Sequence, residues 1–98
     1  MPKSSEIIVM EMLEFVQSEG GHPRMWYVGV TDNAKRKLFT EHQVHYQNDA
    51  WIYRTAASEM EAQRVVEYFL EYGLDGVKGG RNPGQMVYAY RKSINTEP

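Results

Sequence analysis

Apolar residues recur at Ile8, Met12, Phe15 and Val16, and Ile7 and Val9 widen the stripe. This spacing predicts a helix over residues 5–18, capped by Ser4 or Ser5, with Glu6 in its first turn. Gly20-Gly21 ends it and Pro23 enforces the break. Residues 25–31, Met-Trp-Tyr-Val-Gly-Val-Thr, are aromatic and β-branched and read as a strand. The run does not alternate, which predicts a central strand buried on both faces. Gly29 inside it marks the close approach of another backbone or a ligand. A second helix is predicted over 33–43, capped by Thr31 or Asp32. Ala34, Leu38 and His42 share one stripe of that helix, Lys37 lies at the stripe's edge and Arg36 points roughly opposite.

Polar residues 44–49 read as a loop, and residues 50–55, Ala-Trp-Ile-Tyr-Arg-Thr, as a second strand. Ser58 and Glu61 have the spacing of a capping box. The helix behind it has a continuous apolar face of Ala62, Val65, Val66, Phe69 and Leu70 and stops at Gly73. Residues 75–85 form a glycine-rich loop, 86–92 a third strand, and 93–98 a frayed tail. The order α-β-α-β-α-β predicts a small α/β (α+β) fold, with helices flanking a three-stranded, mainly antiparallel sheet.

The 98 residues suit one domain, with 1–22 as a helical extension. That first helix is expected either to cover the sheet or to offer a homodimer surface. No apolar run is long enough to span a membrane, and the first residues lack a signal-peptide pattern. The absence of cysteine excludes disulfides, thiol catalysis and cysteine zinc sites, and a cytoplasmic setting fits it.

Charge changes the picture. The net charge is −2, yet the signs are segregated. Residues 1–23 and 55–73 are acidic. Residues 24–54 carry Arg24, Lys35, Arg36, Lys37 and Arg54, and residues 74–92 carry Lys78, Arg81, Arg91 and Lys92. An acidic chain is a poor nonspecific nucleic-acid binder, but the two basic segments can build one local basic face. Tyr27 fits a water-orienting group or a core aromatic. Arg36 and Lys37 fit phosphate contacts or a solvated helix face. Glu67 lies beside the apolar stripe of its helix and fits a magnesium ligand or a boundary residue. Lys78-Gly79-Gly80-Arg81 fits a phosphate-gripping loop or an ordinary surface loop. His42 and His45 lie three apart beside Glu41, a weak metal signal without a further ligand.

Tyr27-Val28-Gly29-Val30-Thr31-Asp32, followed by Lys35-Arg36-Lys37-Leu38 and His42, resembles the second half of the GIY-YIG nuclease motif. The strand at 50–55 followed by Glu67 on a helix is similar to that family in order and distance, so the resemblance spans about residues 25–72. It implies a small fold around a three-stranded antiparallel sheet. It also implies hydrolysis of nucleic-acid phosphodiesters with magnesium or manganese on Glu67. In that scheme Tyr27 activates water, Arg36 or Lys37 stabilises developing charge and His42 lines the site. Lys35, Lys78 and Arg81 would hold the nucleic acid. Lys37 stands where the family usually has its arginine. The family's first strand, Gly-Ile-Tyr, would precede Tyr27 by a hairpin, where this chain has a helical pattern instead. A noncatalytic nucleic-acid- or protein-binding module on the same fold is the alternative.

Overall fold

The computed structural model describes residues 2–77 and 84–98. Helix α1 runs Ser5–Glu19, strand β1 Trp26–Thr31, strand β2 Trp51–Thr55, helix α2 Glu59–Tyr72 and strand β3 Met86–Arg91. A π-helical turn, Arg36–Glu41, follows β1. The three strands form one antiparallel sheet in the order β1-β3-β2, as the fold class predicts. The last strand in the sequence is therefore the middle one in space.

This order corrects the placement of β1, which is an edge strand. It reads as apolar throughout because both sheet faces are covered. Trp26, Val28 and Val30 join the core under the helices, and Tyr27 points to the second layer. Its outer edge is also partly occupied. The Val28 N–H donates to the Asp75 carbonyl (2.9 Å), and the Asp75 N–H donates to the Trp26 carbonyl (2.8 Å). An edge covered by a chain segment no longer presents a full row of unpaired backbone groups.

The pleat sorts the side chains into two layers. Val28, Ala89 and Ile52 lie in register across the three strands on the helix side. Ile8, Met12 and Val16 of α1 and Ala62, Val65, Val66 and Phe69 of α2 close over them. The apolar stripe of α1 thus covers the sheet, leaving Ile7 and Met10 exposed. On the opposite side Tyr27, Tyr90 and Trp51 form a row, with Tyr88 beside Tyr53 in the next. Ala34, Leu38 and Val44 cover this aromatic layer.

Two local expectations change. The helix after β1 is capped by Asn33, whose Oδ1 accepts from the Arg36 N–H (3.1 Å). Thr31 instead accepts from the Asn33 N–H through its hydroxyl (3.1 Å). The tail is not frayed. Thr96 is buried, and the Glu97 N–H donates to the His42 carbonyl (2.8 Å). Among the described residues no helix is long and apolar enough to cross a membrane.

Ser58 caps α2 as its pattern predicts, accepting from the Glu61 N–H (3.1 Å). The Glu61 carboxylate does not close a capping box. It reaches the start of α1 and accepts from the Ser5 N–H (3.1 Å) and Ser5 hydroxyl (3.4 Å). An anion at a helix N-terminus satisfies orphan donors and complements the macrodipole. Glu61→Ala is therefore expected to lower stability by about 1–2 kcal/mol in urea unfolding. Glu59→Ala, exposed in the same turn, is expected to stay within about 0.5 kcal/mol.

Candidate active site

The site begins with Gly29. Opposite it in the central strand stands Tyr88, and a Cβ added to Gly29 would sit 2.4 Å from the Tyr88 hydroxyl. Only a residue without a side chain lets the phenol lie across β1. The close approach expected at Gly29 is thus a neighbouring tyrosine side chain.

The Tyr88 phenol ends on His42. Its hydroxyl lies 2.8 Å from Nε2 of the imidazole, and the Glu97 carbonyl lies 2.6 Å from Nδ1. A carbonyl can only accept, so Nδ1 carries the proton and Nε2 accepts from Tyr88. The Tyr90 hydroxyl lies 3.1 Å from the same Nδ1. Tyr27 stacks on Tyr90 at 5.5 Å between ring centroids and packs on His42 at 5.0 Å. The π-helical turn delivers His42 to this cluster, closed by its N–H donating to the Lys37 carbonyl (2.9 Å). Widened helical turns of this kind recur at functional sites.

Burial dominates the electrostatics. It lowers the basicity of His42 and keeps the ring neutral near pH 7, with Lys37 adding to the effect. Burial also raises the Tyr27, Tyr88 and Tyr90 phenols above their ordinary value, so all three stay protonated. Among the described residues every buried side-chain polar atom has a partner.

Beside this cluster lies a cleft of about 200 Å³. Tyr27, Gly29, Lys37, His42, Gln63 and Tyr88 are in its wall, together with Val77 and Pro98. Three of the residues singled out in the sequence, Tyr27, Lys37 and His42, therefore meet. Arg36 does not join them. It is 58% exposed and held by Asp32 (3.8 Å) and Glu41 (3.4 Å). Lys37 is half-buried, with its ammonium 3.0 Å from Glu41. Lys35 is exposed outside the cleft wall. Lys78 and Arg81 lie outside the described residues. His45 is exposed, its N–H donating to Asp49.

Glu67 is exposed on α2 and is not in the wall, which Gln63 and Val66 of that helix reach instead. Among the described residues no Asp or Glu lines the cleft, and the stretch 78–83 has no acidic residue in its sequence. Magnesium and manganese are hard cations that take carboxylate oxygens. The polar side chains of the described wall are phenols, an imidazole, an amide and an ammonium.

Sequence reasoning missed Tyr88, Tyr90, Gln63 and the docked tail. The alternation Val87-Tyr88-Ala89-Tyr90 places both tyrosines on one face. Which strand lies beside that face is not written in the alternation.

Two measurements test this arrangement. Gly29→Ala is expected to cost about 1–3 kcal/mol by overpacking. On a Tyr88→Leu background the same change is expected to cost much less, because the crowding ring is gone. The second test concerns pH. The folded His42 binds its proton below the ordinary value of 6.5. As pH falls below about 6.5 the unfolded chain takes up a proton that the folded chain refuses, so stability declines. Lys37 and Glu41 flank the ring, with the three phenols and the Glu97 carbonyl facing it. The lowered carboxylates Glu11, Glu41, Asp49 and Asp75 act only below their ordinary values of 4.5 and 3.8. Loss of stability between about pH 6.5 and 5 is thus expected to vanish in His42→Gln.

No family model matches this chain, and no curated protein or solved structure matches it either.

Proposed function

We propose that the cleft binds and cleaves a nucleic-acid phosphodiester, as a permuted relative of the GIY-YIG nucleases. The pairing of β3 with β1 carries this reading. The resemblance calls for a tyrosine-bearing strand joined to Tyr27's strand by a hairpin. Met86-Val87-Tyr88 supplies an antiparallel neighbour with a tyrosine from the other end of the sequence. Arg91 pairs with Trp26, and the Lys92 N–H donates to the Met25 carbonyl (2.7 Å). A hairpin joining those two points would turn this chain's order into the family's.

The chemistry follows from the residues in the wall. Tyr88 donates its proton to His42 and keeps its oxygen lone pairs for a nucleophile's proton. Lys37 offers positive charge to the phosphate as a point charge, without the fork of an arginine. Tyr27, protonated, is a donor for the departing oxygen. Lys35 adds positive charge outside the wall. A cytoplasmic setting belongs to this reading and rests on the cysteine-free sequence.

The salt bridges of Arg36 and Lys37 favour a second reading, a module that binds nucleic acid without cutting it, because their charge is already partly used. Incubation with end-labelled RNA and DNA oligonucleotides separates the two. Cleavage is expected, falling about 100-fold or more in Tyr88→Phe and His42→Gln while binding persists. Retention of the oligonucleotides with no cleavage would establish the binding module instead.

A further inference from the structure

The cleft combines a base, an acid and a cation with no acidic residue in its described wall. A hydrolytic site needs something to make water a nucleophile at neutral pH, commonly a divalent cation on carboxylates. The described side chains of this wall include no carboxylate. A phosphodiester with a hydroxyl next to its phosphorus does not need activated water, because its nucleophile is already in place. Such intramolecular attack carries a large effective concentration. The hydroxyl that meets this description in a nucleic acid is the ribose 2′-OH, which DNA lacks.

We infer that the substrate is RNA and that the cleft cleaves it by metal-independent transesterification, with His42 and Tyr88 as the base, Lys37 on the phosphate and Tyr27 as the acid. This inference rests on the nuclease reading of the same cleft. In the step, the 2′-oxygen bonds to phosphorus and the bond from phosphorus to the 5′-oxygen breaks. The 2′-proton passes to the Tyr88 oxygen as the Tyr88 proton moves 2.8 Å along its hydrogen bond to Nε2 of His42. The departing 5′-oxygen takes the Tyr27 proton. Solvent then returns a proton from the His42 imidazolium to the Tyr27 phenolate, and no oxidant or metal enters the balance. The products are a 2′,3′-cyclic phosphate and a 5′-hydroxyl.

The arrangement of groups agrees with these roles. The Glu97 carbonyl fixes the Nδ1–H tautomer and leaves Nε2 free to receive the proton. It also faces the imidazolium that forms and can stabilise it as an acceptor. Gly29 leaves room for the Tyr88 hydroxyl across β1, and both residues are in the cleft wall. The Lys37 ammonium, 3.0 Å from Glu41, is restrained on the same wall.

The test uses four end-labelled oligonucleotides of one sequence: RNA, DNA, DNA with a single ribonucleotide, and 2′-O-methyl RNA. Each is incubated with the full chain in EDTA and in magnesium. The RNA is expected to be cut equally in both, and the chimera only 3′ of its ribose. The DNA and 2′-O-methyl strands are expected to remain whole. Mass spectrometry of the fragments is expected to show the cyclic phosphate. His42→Gln and Lys37→Ala, purified identically and shown to be folded by circular dichroism, are expected to lose about 100-fold or more of the rate. Cleavage abolished by EDTA, cleavage of DNA, or 5′-phosphate ends would overturn this inference and leave the nuclease reading standing. No cleavage of any strand in either condition would overturn both.

Discussion

The structure depends on the central position of β3. That strand pairs on both sides, with β1 and with β2, which do not pair with each other. Its alternation assigns each layer its material. Val87 and Ala89 go to the helices, and Tyr88 and Tyr90 go to the aromatic layer. With two small or medium residues on one face, α1 and α2 can lie close over the sheet. With two large polar-tipped rings on the other, the aromatic layer acquires hydroxyls that must find partners. His42 answers both hydroxyls, and the Glu97 carbonyl answers His42.

That sequence of dependencies ties chemistry to packing. Tyr88 reaches the imidazole only because Gly29 leaves room beneath it, and the imidazole has one tautomer because a backbone carbonyl faces Nδ1. Low local dielectric strengthens such hydrogen bonds and makes an unpaired member costly. The cluster is therefore a specifier of the aromatic layer, with the Tyr88, Tyr90 and His42 rings each held by a hydrogen-bond partner. The neighbouring charge is arranged differently. Arg36 and Lys37 remain near water and share acidic partners, so they set local potential rather than hold the fold.

Much of this architecture was legible in the sequence. Helical spacing identified Ile8, Met12 and Val16 in α1 and the Ala62–Phe69 face of α2, because burial of a stripe is a local property of one element. The stripe Ala34, Leu38 and His42 also emerged, and His42 joins Tyr27 and Lys37 in the cleft wall. What periodicity cannot specify is which element lies beside which. The edge position of β1, the reach of Glu61 to Ser5 and the role of Tyr88 each depend on partners more than 40 residues away. Glu67 illustrates the same limit at finer scale. Its place on the helical wheel is near the boundary, yet Gln63, one turn earlier, is the polar residue that reaches the cleft.

The central strand also imposes an order on how the molecule forms. Because β1 and β2 meet only through β3, a growing chain can shape α1 and α2 but has no sheet until residues 86–91 are available. Every ladder hydrogen bond between strands spans a long loop, so closure entropy falls due in a single late event. The cleft is completed in the same event, since Tyr88 and the tail that orients His42 arrive together. Nascent chains that stop short of β3 would expose two unpaired strands and an aromatic layer without its central rings, leaving synthesis itself to decide when the two layers can close.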